Sequence, residues 1–94
     1  MLTIERHDKE SKGYVKAVEN NILVGQMTYS KADDGKIIIN HTEVNPAFSG
    51  KGVGKKLLMN LVEFAREKQL KIIPLCTFAK AMFARDKNIG DVLL

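Results

Sequence analysis

The sequence predicts an α+β domain: a mixed, mainly antiparallel sheet of about five strands, a crossover helix, and a second helix near the C-terminus. Three observations predict it. Apolar and polar residues alternate with a period of two through the first half of the chain, interrupted by short polar turns. At Val53 the period changes to three and four residues. A brief apolar stretch from Lys71 to Leu75 then separates that helical pattern from a second one.

Residues 2–7 form the first strand. Tyr14 to Glu19 alternates, and Asn20-Asn21 makes a tight turn into a strand from Ile22 to Ser30. Asp33-Asp34-Gly35 is a second turn, followed by a long strand from Lys36 to Val44. Connections this short make the first part an antiparallel meander. The paired aspartates are read as turn chemistry rather than as metal ligands.

Val53, Leu57, Leu58, Leu61, Val62, Phe64 and Ala65 make the apolar stripe of a helix that runs to Gln69. Lys55, Lys56, Glu63, Arg66, Glu67 and Lys68 mostly form its solvated face. Lys71 to Leu75 is a short buried strand, parallel to the 36–44 strand because a crossover helix joins the two. Pro74 ends its pairing. A second helix from Thr77 to Asp86 buries Phe78, Ala79, Met82 and Phe83. The tail from Lys87 is expected to be loosely held, with Val92, Leu93 and Leu94 available to pack.

Ninety-four residues with 45% hydrophobic content specify one domain with one core, spanning residues 1–94. No apolar run reaches membrane-spanning length, and Met1 to Glu5 has no signal-peptide pattern, so no membrane is expected. A single cysteine fits a reducing cytoplasm. The net charge of +4 admits nucleic acid, an acidic substrate or a phosphorylated cofactor. Dispersed lysines and few aromatic residues argue against nucleic acid. Two histidines and one cysteine, far apart, give no metal-site spacing. Sheet edges in so small a domain make it a monomer or a weak dimer.

The chemistry concentrates in residues 44–58. Gly50, Gly52 and Gly54 alternate between a strand and a helix start. Glycines there let several backbone N–H groups approach one anion, and the helix N-terminus adds partial positive charge. Lys51, Lys55 and Lys56 strengthen that field. Two nucleotide motifs fail on this loop. A Walker A sequence needs glycine where Ser49 stands, and the dinucleotide fingerprint needs glycine where Lys55 stands.

The spacing Ser49-Gly50-Lys51-Gly52-Val53-Gly54, after an antiparallel meander, resembles the acyl-CoA-binding motif of the GNAT superfamily of N-acetyltransferases, Arg/Gln-x-x-Gly-x-Gly/Ala. The resemblance spans Tyr14 to Arg85. With His41 to Val44 and Ile73 to Cys76 included, the chain is similar to the small, stand-alone GNAT-like subgroup. It implies a minimal GNAT-like fold, with acetyl-CoA or coenzyme A as cosubstrate. The CoA pyrophosphate would lie on Ser49, Gly50, Lys51, Gly52, Val53, Gly54 and Lys55, with pantetheine passing Val44 and Cys76. Ser49 departs from the usual Arg or Gln, which leaves the loop one side chain short. The frequent tyrosine acid of the family falls near Phe83, which has no hydroxyl.

Amine acetylation needs a positioned thioester, a polarised carbonyl and a base. A free backbone N–H at Val44 can polarise the carbonyl. His41 and Glu43, two apart on one strand, share a face and are the candidate bases. Cys76 stands at a helix start, a setting that activates a thiol. Its candidate roles are acyl acceptor, mixed-disulfide partner of CoA, and wall of the acyl path. Together these predict an acyl-CoA-dependent N-acyltransferase for a small-molecule or protein amine. The alternative is a CoA-binding or thiol-responsive module without turnover.

Overall fold

Turn chemistry sets the sheet. Asn20 and Asn21 both adopt positive φ, 51° and 64°, as a two-residue hairpin turn matched to strand twist requires. Asp34 and Gly35 do the same at 63° and 70°. The computed structural model describes residues 1–94 and has five strands: β1 (Thr3–Asp8), β2 (Lys12–Glu19), β3 (Ile22–Ala32), β4 (Lys36–Val44) and β5 (Lys71–Pro74). Helix α1 (Val53–Lys68) crosses from β4 to β5, and α2 (Thr77–Arg85) follows. Two short 3-10 segments, Pro46–Phe48 and Lys87–Val92, complete the chain. The sheet order is β1-β2-β3-β4-β5, antiparallel throughout except for the β4–β5 pair. No helix is long and apolar enough to cross a membrane.

One face of the sheet carries the core. Val15, Ala17, Met27, Tyr29, Ile37, Ile39 and Ile72 pack under Leu57, Leu58, Leu61 and Val62 of α1, and α2 adds Ala79, Met82 and Phe83 to the same cluster. The alternate residues of the strands, Tyr14, Lys16, Gln26 and Thr28, face outward and are only half-buried. No layer covers them. This corrects one expectation: β5 is not buried along its length. Only Ile72 of β5 is fully buried, while Ile73 and Pro74 are partly open.

The tail corrects another expectation. Ile89 and Val92 are buried, at 1% and 3% exposure, and Leu93 bridges to Ile72 beyond the edge of β5. Arg66 donates from Nε and Nη2 to the Asp91 carboxylate, both at 2.9 Å, and from Nη2 to the Asn88 carbonyl. Lys71 Nζ donates to the Asp91 carbonyl at 2.6 Å. The hydrogen bonds from Arg66 hold the Asp91 carboxyl below its usual range. An exposed ion pair is screened by solvent and contributes little, whereas burying an Ile or Val side chain contributes about 1.5–3 kcal/mol. The apolar contacts therefore hold the tail, and the guanidinium fork fixes its register.

At the other end, the Tyr29 hydroxyl donates to Asp8 at 2.5 Å and Lys31 Nζ donates to the same carboxylate at 2.7 Å. Burial pushes the Asp8 carboxyl up, but the bonds from Lys31 and Tyr29 outweigh it and leave it below the usual range. Burial, aided by the bond to Asp8, raises the Tyr29 phenol. Every buried side-chain polar atom has a partner.

The β4–β5 pair positions everything functional. It lasts four residues, Lys36–Ile39 against Lys71–Pro74. Opposite β3, Tyr29 faces Ile39 and Thr28 faces His41, so Asn40 is an extra residue in β4, a β-bulge. Pro74 has no N–H to continue the ladder. The N–H groups of Leu75 and Cys76 both close on the Ile39 carbonyl, at 3.0 and 3.3 Å, and the chain then leaves for α2.

Gly54, in the first turn of α1, lets the helices meet. A Cβ there would stand 2.6 Å from Cζ of Phe78. Gly54→Ala is expected to cost about 1–3 kcal/mol through overpacking. In a Phe78→Leu background the same change should cost less than half as much, a coupling that denaturant melts of the four proteins will read.

Candidate active site

Beyond Ile39, β4 has lost its neighbour, and parity decides what it presents. The Asn45 N–H donates to the Val24 carbonyl at 2.7 Å. Antiparallel alternation therefore gives Glu43 and His41 the ladder bonds to β3 and turns the N–H groups of Thr42 and Val44 toward the gap β5 has left. Side chains alternate with it. His41 and Glu43 project onto the open face, and Thr42 and Val44 onto the helix side.

On the open face His41 Nε2 and Glu43 Oε1 lie 2.8 Å apart, both well exposed. They stand in a cleft of about 450 Å³ whose other walls include Leu23, Gln26, Thr28 and Asn45. If Glu43 accepts from Nε2–H, Nδ1 keeps its lone pair and can take a proton.

On the helix side the loop begins at Asn45. Its Oδ1 accepts from the Ala47 N–H at 3.0 Å and its carbonyl accepts from the Phe48 N–H at 2.8 Å. With its N–H bonded to Val24, Asn45 fixes the exit from β4 by three hydrogen bonds. Gly50 and Gly52 then adopt φ of 79° and 73°, in the left-handed region, with nothing crowding their Cα positions. Gly52 caps α1 without a side chain, and the first turn of α1 holds no acidic residue. The first N–H groups of α1 are thus left for an external acceptor, with the helix dipole behind them.

These residues border a second cleft, of about 700 Å³. Of the residues that the resemblance offers for the cofactor, Val44, Ser49, Gly50, Gly52, Val53, Gly54 and Lys55 line it. Val53 has a buried side chain, so its backbone is what it offers. Gly54 differs from the other two glycines: its bare Cα makes room for Phe78. Lys51 is not on the cleft wall; its Nζ sits 5.5 Å above the Phe48 ring.

Cys76 lines neither cleft. It caps α2, with Sγ accepting from the Ala79 N–H at 3.5 Å, and stands 3.4 Å from Thr42 Oγ1. It closes the gap behind Thr42. Phe83 is buried in the core and faces no cleft.

The structure adds residues that the sequence reading passed over. Asn45, before Pro46, carried a readable turn signal. Phe78, Met82 and Arg85 reach the site only through the packing of α2 on α1, and Asn88 through the segment that follows α2, which no local pattern encodes; Thr42, on β4, joins it through its contact with Cys76. Val44 alone lines both clefts.

A family model described as GCN5-related N-acetyl-transferase matches residues 13–92. A GCN5-like protein from Staphylococcus aureus, solved in solution by NMR, is 44% identical over 96% of this chain and 87% of its own, with a TM-score of 0.72. Two more distant structures share the fold. A GNAT family acetyltransferase from Elizabethkingia anophelis, solved with acetyl-CoA bound, is 17% identical over 89% of this chain and 72% of its own (TM-score 0.70). The ribosomal-protein-alanine N-acetyltransferase of Brucella melitensis biovar Abortus 2308 is 17% identical over 82% of this chain (TM-score 0.70), and the match spans 62% of that enzyme's length. Comparison with curated protein sequences found no match. On the family match, which takes in both the bulged β4 and the glycine loop, this chain belongs to the GCN5-related N-acetyltransferase family.

Proposed function

We propose that this chain is an acetyl-CoA-dependent N-acetyltransferase acting on a primary amine, carried by a small molecule or a protein. One observation carries the reading: Val44 is the single residue shared by an anion-binding cleft on the helix side and an acid–base pair's cleft on the open face. A group handed from donor to acceptor must pass such a point.

Acetyl-CoA supplies an activated thioester carbonyl, whose bond to sulfur breaks as the bond to the amine nitrogen forms. The chain's own groups do the rest. Backbone N–H groups of Gly50, Gly52 and the start of α1 hold the pyrophosphate, and Lys55 adds charge. The Val44 N–H, turned into the gap, receives the oxyanion that develops on the carbonyl oxygen. His41 or Glu43 takes a proton from the substrate ammonium, directly or through one water, and so frees the amine that attacks. Cys76, engaged by Ala79 and Thr42 and on neither cleft wall, backs Thr42 behind the acyl path and does not attack the thioester. No acid of the chain is needed for the sulfur, which leaves as thiolate and takes up, through solvent, the proton that the nitrogen sheds as it becomes an amide.

A second reading is a CoA-binding or thiol-responsive module. It is favoured by the open face of the sheet, where no element stands opposite His41 and Glu43 to hold an acceptor. Thiol release across an amine panel separates the two: turnover eliminates the module, and binding without turnover establishes it.

Ser49, exposed and in extended backbone at the cleft wall, gives a test free of strain. Ser49→Arg should tighten acetyl-CoA about 10-fold and Ser49→Asp should weaken it by a similar factor, as isothermal titration will show. Turnover divides the remaining roles. Glu43→Gln should lower kcat about 100-fold with acetyl-CoA affinity unchanged. Cys76→Ala should keep kcat within a few-fold; loss as large as that of a missing nucleophile would establish covalent catalysis instead.

A further inference from the structure

We infer that Arg85 recognises the ribose 3′-phosphate of CoA and so makes the chain selective for CoA over its dephosphorylated form; this rests on the acetyl-CoA reading above. The chain has three arginines, and two are committed. Arg6 stacks over Phe64 at 4.2 Å and donates to Asn60. Arg66 clamps Asp91, Glu63 and the Asn88 carbonyl. Arg85 has no carboxylate partner and no side-chain hydrogen bond, is exposed, and lines the donor cleft.

Its place in that cleft is specific. Phe78, Met82 and Arg85 follow one another at spacings of four and three, so they form one stripe of α2, and all three face the cleft. Phe78 marks where α2 touches Gly54, beside the pyrophosphate loop. Seven residues further along a helix is about 10 Å. The cleft therefore has an anion site at Gly50–Gly54, an apolar stretch of α2 made by Phe78 and Met82, and a separate cation beyond it.

A ligand with one phosphate cluster satisfies only the first of these. CoA carries two: a pyrophosphate, and a 3′-phosphate on the far side of the ribose. Asn88 offers an amide beside Arg85. Asp86, the one carboxylate in the cleft lining, is partly occupied by the Asn88 N–H at 3.0 Å. Without Arg85 that end of the cleft would repel a phosphate.

A cation at a helix C-terminus is favourable in itself, so a loss of stability would not distinguish the two roles. Ligand discrimination does. Isothermal titration with CoA and with 3′-dephospho-CoA should show the wild type binding CoA about 10-fold tighter. In Arg85→Gln that ratio should collapse to within about 2-fold, with dephospho-CoA affinity unchanged. Lys55→Gln, beside the loop, should weaken both ligands alike and leave the ratio intact. An Arg85→Gln protein that keeps the wild-type ratio, or loses affinity for both ligands equally, overturns the assignment. So does a wild type that binds both equally, and that outcome leaves the CoA reading standing; a wild type that binds neither overturns both.

Discussion

β4 and β5 part after Ile39 and Pro74, and the site depends on that parting. Parallel strands that stayed paired would tie the N–H groups of Thr42 and Val44 into a ladder and leave no opening through the sheet. Two local features force the divergence: the extra residue at Asn40 re-aims β4, and Pro74 removes the donor that would continue the pairing. The bulge also reverses parity, so His41 and Glu43 reach the open face while Val44 faces the helix side. Asn45 then locks β4 to β3 and turns the chain into the loop.

Helix α1 serves both stability and binding. Its apolar stripe covers the sheet, and its uncapped N-terminus points into the donor cleft. The two roles meet at Gly54, where a side chain would drive α2 away and widen the cleft. The fold has little to spare elsewhere. One face of the sheet has no cover, so the core rests on a single layer of contacts, and the tail contributes Ile89 and Val92 to it. The uncovered face costs burial and leaves His41 and Glu43 open to solvent.

Most of the fold was legible in the sequence because its signals are local. Asn20-Asn21 and Asp33-Asp34-Gly35 fix the meander, the stripe from Val53 to Ala65 fixes α1, and strand boundaries fall within two residues of the reading. The tail was misjudged because its partners are distant in sequence: Leu93 meets Ile72, and Asp91 meets Arg66 25 residues away. β5 was misjudged because an apolar run does not say how many faces are covered. In the site, the glycine loop and the His41–Glu43 pair were legible from spacing. The placement of Lys51, Gly54 and Cys76 was not, since each is set by a neighbour in space: Phe48, Phe78 and Thr42. Arg85 was invisible for the same reason.

Under the proposed function a ligand on the glycine loop reaches the junction at Val44. Backbone amide chemical shifts during titration with acetyl-CoA test it most directly. The account predicts that the Gly50, Gly52 and Val44 amides move together, saturating at one concentration. Perturbations confined to Leu23, Gln26 and Thr28 on the open face, with Gly50 and Gly52 unmoved, would contradict it.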